Sequence, residues 1–166
     1  MNFNYHNITK CDLKNGMGVR VVLWVSHCEH RCKGCHNPQT WSKDSGISFD
    51  EDAKREIFEE LEKDYVTGLT LSGGDPLSTL NRIELLPLIM EIREKYPNKD
   101  IWAYTGYAWE EIKDAEIVKY IDVLVDGKFI QGLSTPSPKW CGSTNQRLID
   151  VKKSLEKNKI IFYKYS

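Results

Sequence analysis

The sequence predicts an α/β fold: an incomplete β/α barrel with a mostly parallel, open sheet of about five or six strands. Three observations carry this expectation. Short apolar runs recur along the chain, stretches of helical period lie between several of them, and four of the runs end in loops of unusual chemistry. Alternating strands and helices argue for parallel βαβ units. A complete eight-unit barrel takes about 250 residues. This chain has 166, so the barrel is expected to stay open. The length suits a single domain spanning 1–166.

The elements follow in order. Val19–Val25 reads VRVVLWV, with four valines in seven residues. That is the pattern of a strand buried on both faces. Residues 48–63 read as a helix, because Ser48 and Glu51 have capping-box spacing and Phe49, Ala53, Ile57, Phe58 and Leu61 share one helical face. Residues 66–71 form a second strand, ending in Ser72-Gly73-Gly74-Asp75-Pro76. A second helix is expected over 81–96, with Leu85, Leu86, Ile89 and Ile92 inward and Pro87 forcing a kink or a late start. Residues 101–104 give a third strand before Thr105-Gly106, 115–120 a helical turn, and 122–125 a fourth strand before Asp126-Gly127. Arg147–Asp150 and 160–163 are weaker strand candidates. In such sheets ligands bind at the C-terminal strand ends, where four unusual loops gather.

Composition excludes several classes. A net charge of −1 gives no general attraction to nucleic acid or a membrane surface. No run approaches the roughly 20 apolar residues that span a bilayer, and residues 1–15 lack an apolar signal core. The cytoplasm is the expected location. There are five cysteines, an odd number, and Cys28, Cys32 and Cys35 crowd into one loop. Disulfide frameworks favour even counts and wider spacing, so the cluster reads as a metal site. Thiolates suit both iron–sulfur clusters and zinc. A four-iron cubane normally takes four thiolates, so three would leave one iron open. A structural zinc, with His36 or a distant cysteine as fourth ligand, stays open on spacing alone. Cys11 and Cys141 read as buried small hydrophobes, and the five tryptophans as packing.

The spacing Cys28-x₃-Cys32-x₂-Cys35 resembles the cluster loop of the radical S-adenosylmethionine (SAM) superfamily. Further segments narrow the resemblance to the activating proteins of anaerobic ribonucleoside-triphosphate reductases. They are the cysteine loop through His36-Asn37, Ser72-Gly73-Gly74-Asp75-Pro76-Leu77, the stretch from Trp102 through Thr105-Gly106-Tyr107, Leu124 through Asp126-Gly127-Lys128-Phe129, and Gly142 through Asn145-Gln146-Arg147. They are collinear from about Gly16 to Asp150. Gly34 stands where the superfamily often has an aromatic residue, Met17 where many relatives have proline, and Cys141 where they often have arginine.

The resemblance implies that Cys28, Cys32 and Cys35 hold a [4Fe-4S] cluster whose open iron binds SAM. It implies that Gly34, Cys35, His36, Gly73, Gly74 and Asp75 contact the cofactor; Thr105, Asp126 and Asn145, at neighbouring strand ends, are candidates to line the same pocket or to serve as local turn or cap residues. The implied activity is an oxidoreductase one. SAM is cleaved reductively, and the resulting radical makes a glycyl radical on the large subunit of the reductase, with reduced flavodoxin or a similar donor as partner. Pyruvate formate-lyase activators, deazaguanine synthases and a non-enzymatic zinc module are the alternatives. No nucleophile–His–carboxylate constellation is visible, which suits electron and radical chemistry.

Overall fold

The computed structural model describes residues 1–136 and 139–165. Its strands are β1 (Asn4–Asp12), β2 (Val19–Val25), β3 (Ile47–Ser48), β4 (Val66–Gly73), β5 (Asp100–Tyr104), β6 (Val123–Asp126) and β7 (Arg147–Asp150). They form one open sheet in the order β3-β1-β2-β4-β5-β6-β7. The pairs β2–β4, β4–β5 and β5–β6 are parallel, as the βαβ pattern requires. Antiparallel strands flank this centre: β1 and β3 on one side, β7 on the other. The partial barrel is therefore as expected, with seven strands where five or six were foreseen. The additions are the two-residue β3 and β1, a strand of mostly polar residues in which only Ile8 is buried. Its sequence shows no apolar alternation, and it is held by pairing to β2.

Period-two alternation sorts the side chains. On the outer face, Val21, Leu23 and Val25 of β2, Leu69 and Leu71 of β4, Ile101 and Ala103 of β5 and Leu124 of β6 join the main core. The helices α1 (Glu51–Leu61) and α3 (Leu86–Lys95) supply Ile57, Leu61, Leu88, Ile89 and Ile92 to it, all fully buried. The intervening residues Arg20, Val22, Trp24, Thr70, Ser72, Trp102 and Tyr104 face the inner side. Arg20 has no exposed surface. It donates to Thr70 Oγ1 (2.7 Å), Met17 O (2.8 Å) and Leu69 O (2.9 Å), and its guanidinium lies 2.7 Å from the Asp100 carboxylate.

Several boundaries differ from the sequence expectation. Asp50, not Ser48, caps α1, its carboxylate accepting from Ala53 N at 2.8 Å. Ser48 belongs to β3 and pairs with Asn4. The helix foreseen over 81–96 is two pieces, α2 (Asn81–Glu84) and α3, because Pro87 takes a first-turn position where its missing N–H costs nothing. The restart makes Leu88 fully buried and leaves Leu86 half-buried. Residues 160–163 form only an isolated bridge, Phe162 to Ile149. Two short helices, α4 (Trp109–Ile112) and α5 (Val151–Lys157), had no clear sequence signal. No helix among the described residues is long and apolar enough to cross a membrane.

Candidate functional site

The C-terminal ends of β2, β4, β5 and β6 border one cavity of about 720 Å³, within the usual range for small-ligand sites. β2 delivers the cysteine loop to it. Cys28, Cys32 and Cys35 all line the cavity and all are free, half-buried thiols. A turn closed by Cys35 N on Cys32 O (3.1 Å) links the last two, and Asn37 N donates to the Cys35 sulfur (3.3 Å). Burial pushes the Cys28 thiol up to about 11 and also raises Cys32. Both would have to lose a proton on binding a metal, which the cation itself favours.

The loop is fastened on several sides. His27 Nδ1 meets Ser78 Oγ at 2.9 Å. Glu29 accepts from the Tyr107 hydroxyl (2.6 Å) and from Thr79 N and Oγ1. The Tyr107 hydroxyl holds the Glu29 carboxyl down at about 2. His30 Nε2 meets Asp75 Oδ2 at 2.6 Å. The fully buried Asn81 donates to Ser26 O and Asp75 O, joining the end of β2 to the turn after β4. His27 and Arg31 both have positive φ, +81° and +52°, so the loop backbone is strained where these contacts hold it.

The two glycines after β4 have a packing reason. A Cβ on Gly73, whose φ is +98°, would lie 2.7 Å from Val25 backbone atoms. One on Gly74 would lie 2.6 Å from His27 O. Gly74 N and Asp75 N in turn donate to Val25 O and His27 O, each at 2.7 Å. The pair is needed for the turn to press against the root of the cysteine loop.

Of the residues expected to contact a cofactor, Cys35, His36, Gly73, Gly74, Asp75 and Thr105 line the cavity. Gly34 and Asp126 do not. Gly34, at φ +75°, packs against the Gln131 side chain. Asp126 is 1% exposed and turned away: its carboxylate accepts from Trp109 N (2.8 Å) and binds Arg147 (2.5 Å), which also reaches Glu110. Its neighbour Gly127 lines the cavity in its place. Asn145 is likewise outside, bonded to Lys128 O and Ser143, while Gln146 is inside.

Sequence reasoning missed much of the wall. Trp24, Trp41, Tyr104, Phe129 and Trp140 enclose the cavity, and Lys14 and Asn15 form part of its rim. Only the period-two position of Trp24 and Tyr104 on their strands could have signalled this. Cys141, buried as expected, also faces the cavity, whereas Cys11 is exposed.

Among the described residues no three His, Cys, Asp or Glu side chains converge as ligands of a single metal ion. A cubane asks for something different, since its thiolates bind separate irons. Three soft thiols on one cavity wall, beside room for a small molecule, fit that donor set.

Comparison with known proteins points to an iron–sulfur family. The family described as a 4Fe-4S single cluster domain matches residues 14–149. A protein of Enterobacteria phage T4 named anaerobic ribonucleoside-triphosphate reductase-activating protein is 47% identical over 145 residues, covering 87% of this chain and 92% of the relative. Proteins of the same name from Haemophilus influenzae and Escherichia coli are 45% and 44% identical over 147 residues. Each match covers 86% of this chain, with 95% and 96% of the respective relative.

Proposed function

The chain belongs to the 4Fe-4S single cluster domain family and to the anaerobic ribonucleoside-triphosphate reductase-activating proteins, and on that premise we propose that it is a radical SAM activase. Its partner would be the large subunit of the anaerobic reductase, and its setting the cytoplasm. The observation that supports this most is the shared cavity, lined both by the three thiols of one loop and by the Gly73-Gly74 turn, with room for a cofactor.

Cys28, Cys32 and Cys35 would each hold one iron of a [4Fe-4S] cluster, leaving the fourth for the amino and carboxylate groups of SAM. A cluster bound there would supply the one-electron reduction for reductive cleavage of SAM, the chemistry needed to take a hydrogen from a glycine of the reductase. The chain's own part is to bind, orient and shield. Trp24, Trp41, Tyr104 and Trp140 line the space where the radical would form and would limit its contact with water. Ser72, Asn15 and Gln146 put polar groups on the same wall. The electron would come from reduced flavodoxin or a similar donor.

Anaerobic reconstitution with iron and sulfide, followed by dithionite and SAM, tests the reading. The wild type should turn brown and release methionine and 5′-deoxyadenosine, and Cys32→Ala should do neither. With the reductase present, electron paramagnetic resonance should show a glycyl doublet on its large subunit. A doublet on a formate-lyase partner alone, or tightly held zinc without SAM cleavage, would overturn the assignment.

A further inference from the structure

Asp75 is only 2% exposed although it lies beside the cavity. Four donors reach its carboxylate. Leu77 N donates to Oδ1 at 2.8 Å. His30 Nε2 (2.6 Å), Thr105 Oγ1 (3.0 Å) and Gly106 N (3.0 Å) all reach Oδ2. An ionised carboxylate has about four lone-pair sites, two on each oxygen, so protein donors take up all of Oδ2 and one site of Oδ1. These donors come from three places: its own turn after β4, the end of β5, and the cysteine loop.

The cysteine-loop donor is His30, midway between Cys28 and Cys32. Its side chain is 6% exposed and sits in a built socket. Tyr107 packs edge-on at 4.5 Å, and a Cβ on Gly106 would collide with the imidazole ring. An ionised carboxylate can only accept, so Nε2 carries the hydrogen in this contact.

We infer that Asp75 is a positioning residue: through His30 it fixes the segment between the first two cluster cysteines onto the ends of β4 and β5, and its carboxylate does not touch the bound cofactor. The inference rests on the cluster-binding reading above. It assigns the Gly-Gly-Asp turn a task directed at the cysteine loop. The strained backbone at Arg31, φ +52°, is next to the tether, where strain persists only if the surroundings over-determine it.

The test compares wild type with His30→Ala, His30→Gln, Asp75→Asn and the double variant His30→Ala/Asp75→Asn, all reconstituted anaerobically. Four quantities are read: iron and sulfide per chain, the rate of cluster loss to a chelator, the paramagnetic resonance spectrum of the reduced cluster, and the SAM Kd. Losing a charge-assisted hydrogen bond should speed cluster loss by about tenfold or more in His30→Ala and in Asp75→Asn. The double variant should be no worse than the more affected single, because the two side chains act as one unit. His30→Gln, which can still donate to Asp75, should recover part of the retention. Both single variants should alter the cluster spectrum before SAM is added.

The inference is overturned if Asp75→Asn weakens SAM binding about tenfold while its cluster loss and SAM-free spectrum match wild type, since the carboxylate would then act on the cofactor itself. It is also overturned if both single variants retain the cluster as wild type does. Circular dichroism of the apo chains separates unfolding from loop release, and if Asp75→Asn does not fold, the His30 pair carries the comparison. Failure of the wild type to take up a cluster or SAM would sink the underlying reading instead, and is seen before any variant is compared.

Discussion

Replacing Arg20 with methionine tests how the inner face of the sheet is held together. The guanidinium is fully buried and serves Thr70 Oγ1, Met17 O and Leu69 O as well as Asp100. Removing one partner of a buried ion pair costs about 3–5 kcal/mol, because the other is left without compensation. The Asp100 side chain is 34% exposed, so water can partly replace the lost cation. That puts the expectation at the lower end, about 3 kcal/mol. For a chain of this size the loss corresponds to a fall of about 6–12 °C in Tm.

The pH dependence supplies a second signature. Burial raises the Asp100 carboxyl above its ordinary value, although Arg20 pulls it down. Without Arg20 it should rise further. A group raised in the folded state gives its stabilisation below the unfolded pKa and loses it as pH rises through the folded pKa. The variant's deficit should therefore be greatest near pH 7 and shrink as pH falls toward the carboxylate range. Urea unfolding of the apo chain across that range measures both, and Arg20→Met/Asp100→Asn should recover part of the loss. A deficit below about 1 kcal/mol at pH 7, or one that grows on acidification, would refute the reasoning.

Three further outcomes are expected. Gly74→Ala should cost about 1–3 kcal/mol by overpacking, since its Cβ would meet His27 O at 2.6 Å, and iron uptake on reconstitution should fall with it. Cys141→Ser should keep the wild-type iron and sulfide content if three cysteines hold the cluster, although Cys141 lines the same cavity; a fall by a quarter or more of the iron would point to a fourth thiolate. Tyr107→Phe removes the donor that holds Glu29 at about 2. A depressed carboxyl stabilises above its unfolded pKa and loses that contribution as pH falls. The stability gap between wild type and this variant should thus be present at pH 7 and close between about pH 4.5 and pH 2, as acid titration followed by circular dichroism would show.

The sequence by itself determined the parallel centre of the fold and the address of the site. β2 was legible to the residue, because four valines in VRVVLWV leave a doubly buried strand as the only comfortable reading. The buried face of α1 was legible from its helical period, and the cysteine spacing with its collinear companions identified the family. These signals are local: each lies within one strand, one helix or one loop.

Only the tertiary structure decided which members of each loop face the cavity and what they meet there. Asp126 and Gly127 are neighbours, yet the carboxylate is drawn away by Trp109 N and Arg147 while the glycine lines the wall. The polar strand β1 exists because β2 offers it an edge, a fact absent from its own composition. For Gly73 and Gly74 the sequence resemblance implied contact with a cofactor; the tertiary structure adds their close approach to the backbone of Val25 and His27. His30 and Asp75 are 45 residues apart in the chain. Periodicity fixes how a segment folds upon itself, while a contact across that separation depends on how strands are ordered and registered in the sheet, which neither segment encodes alone.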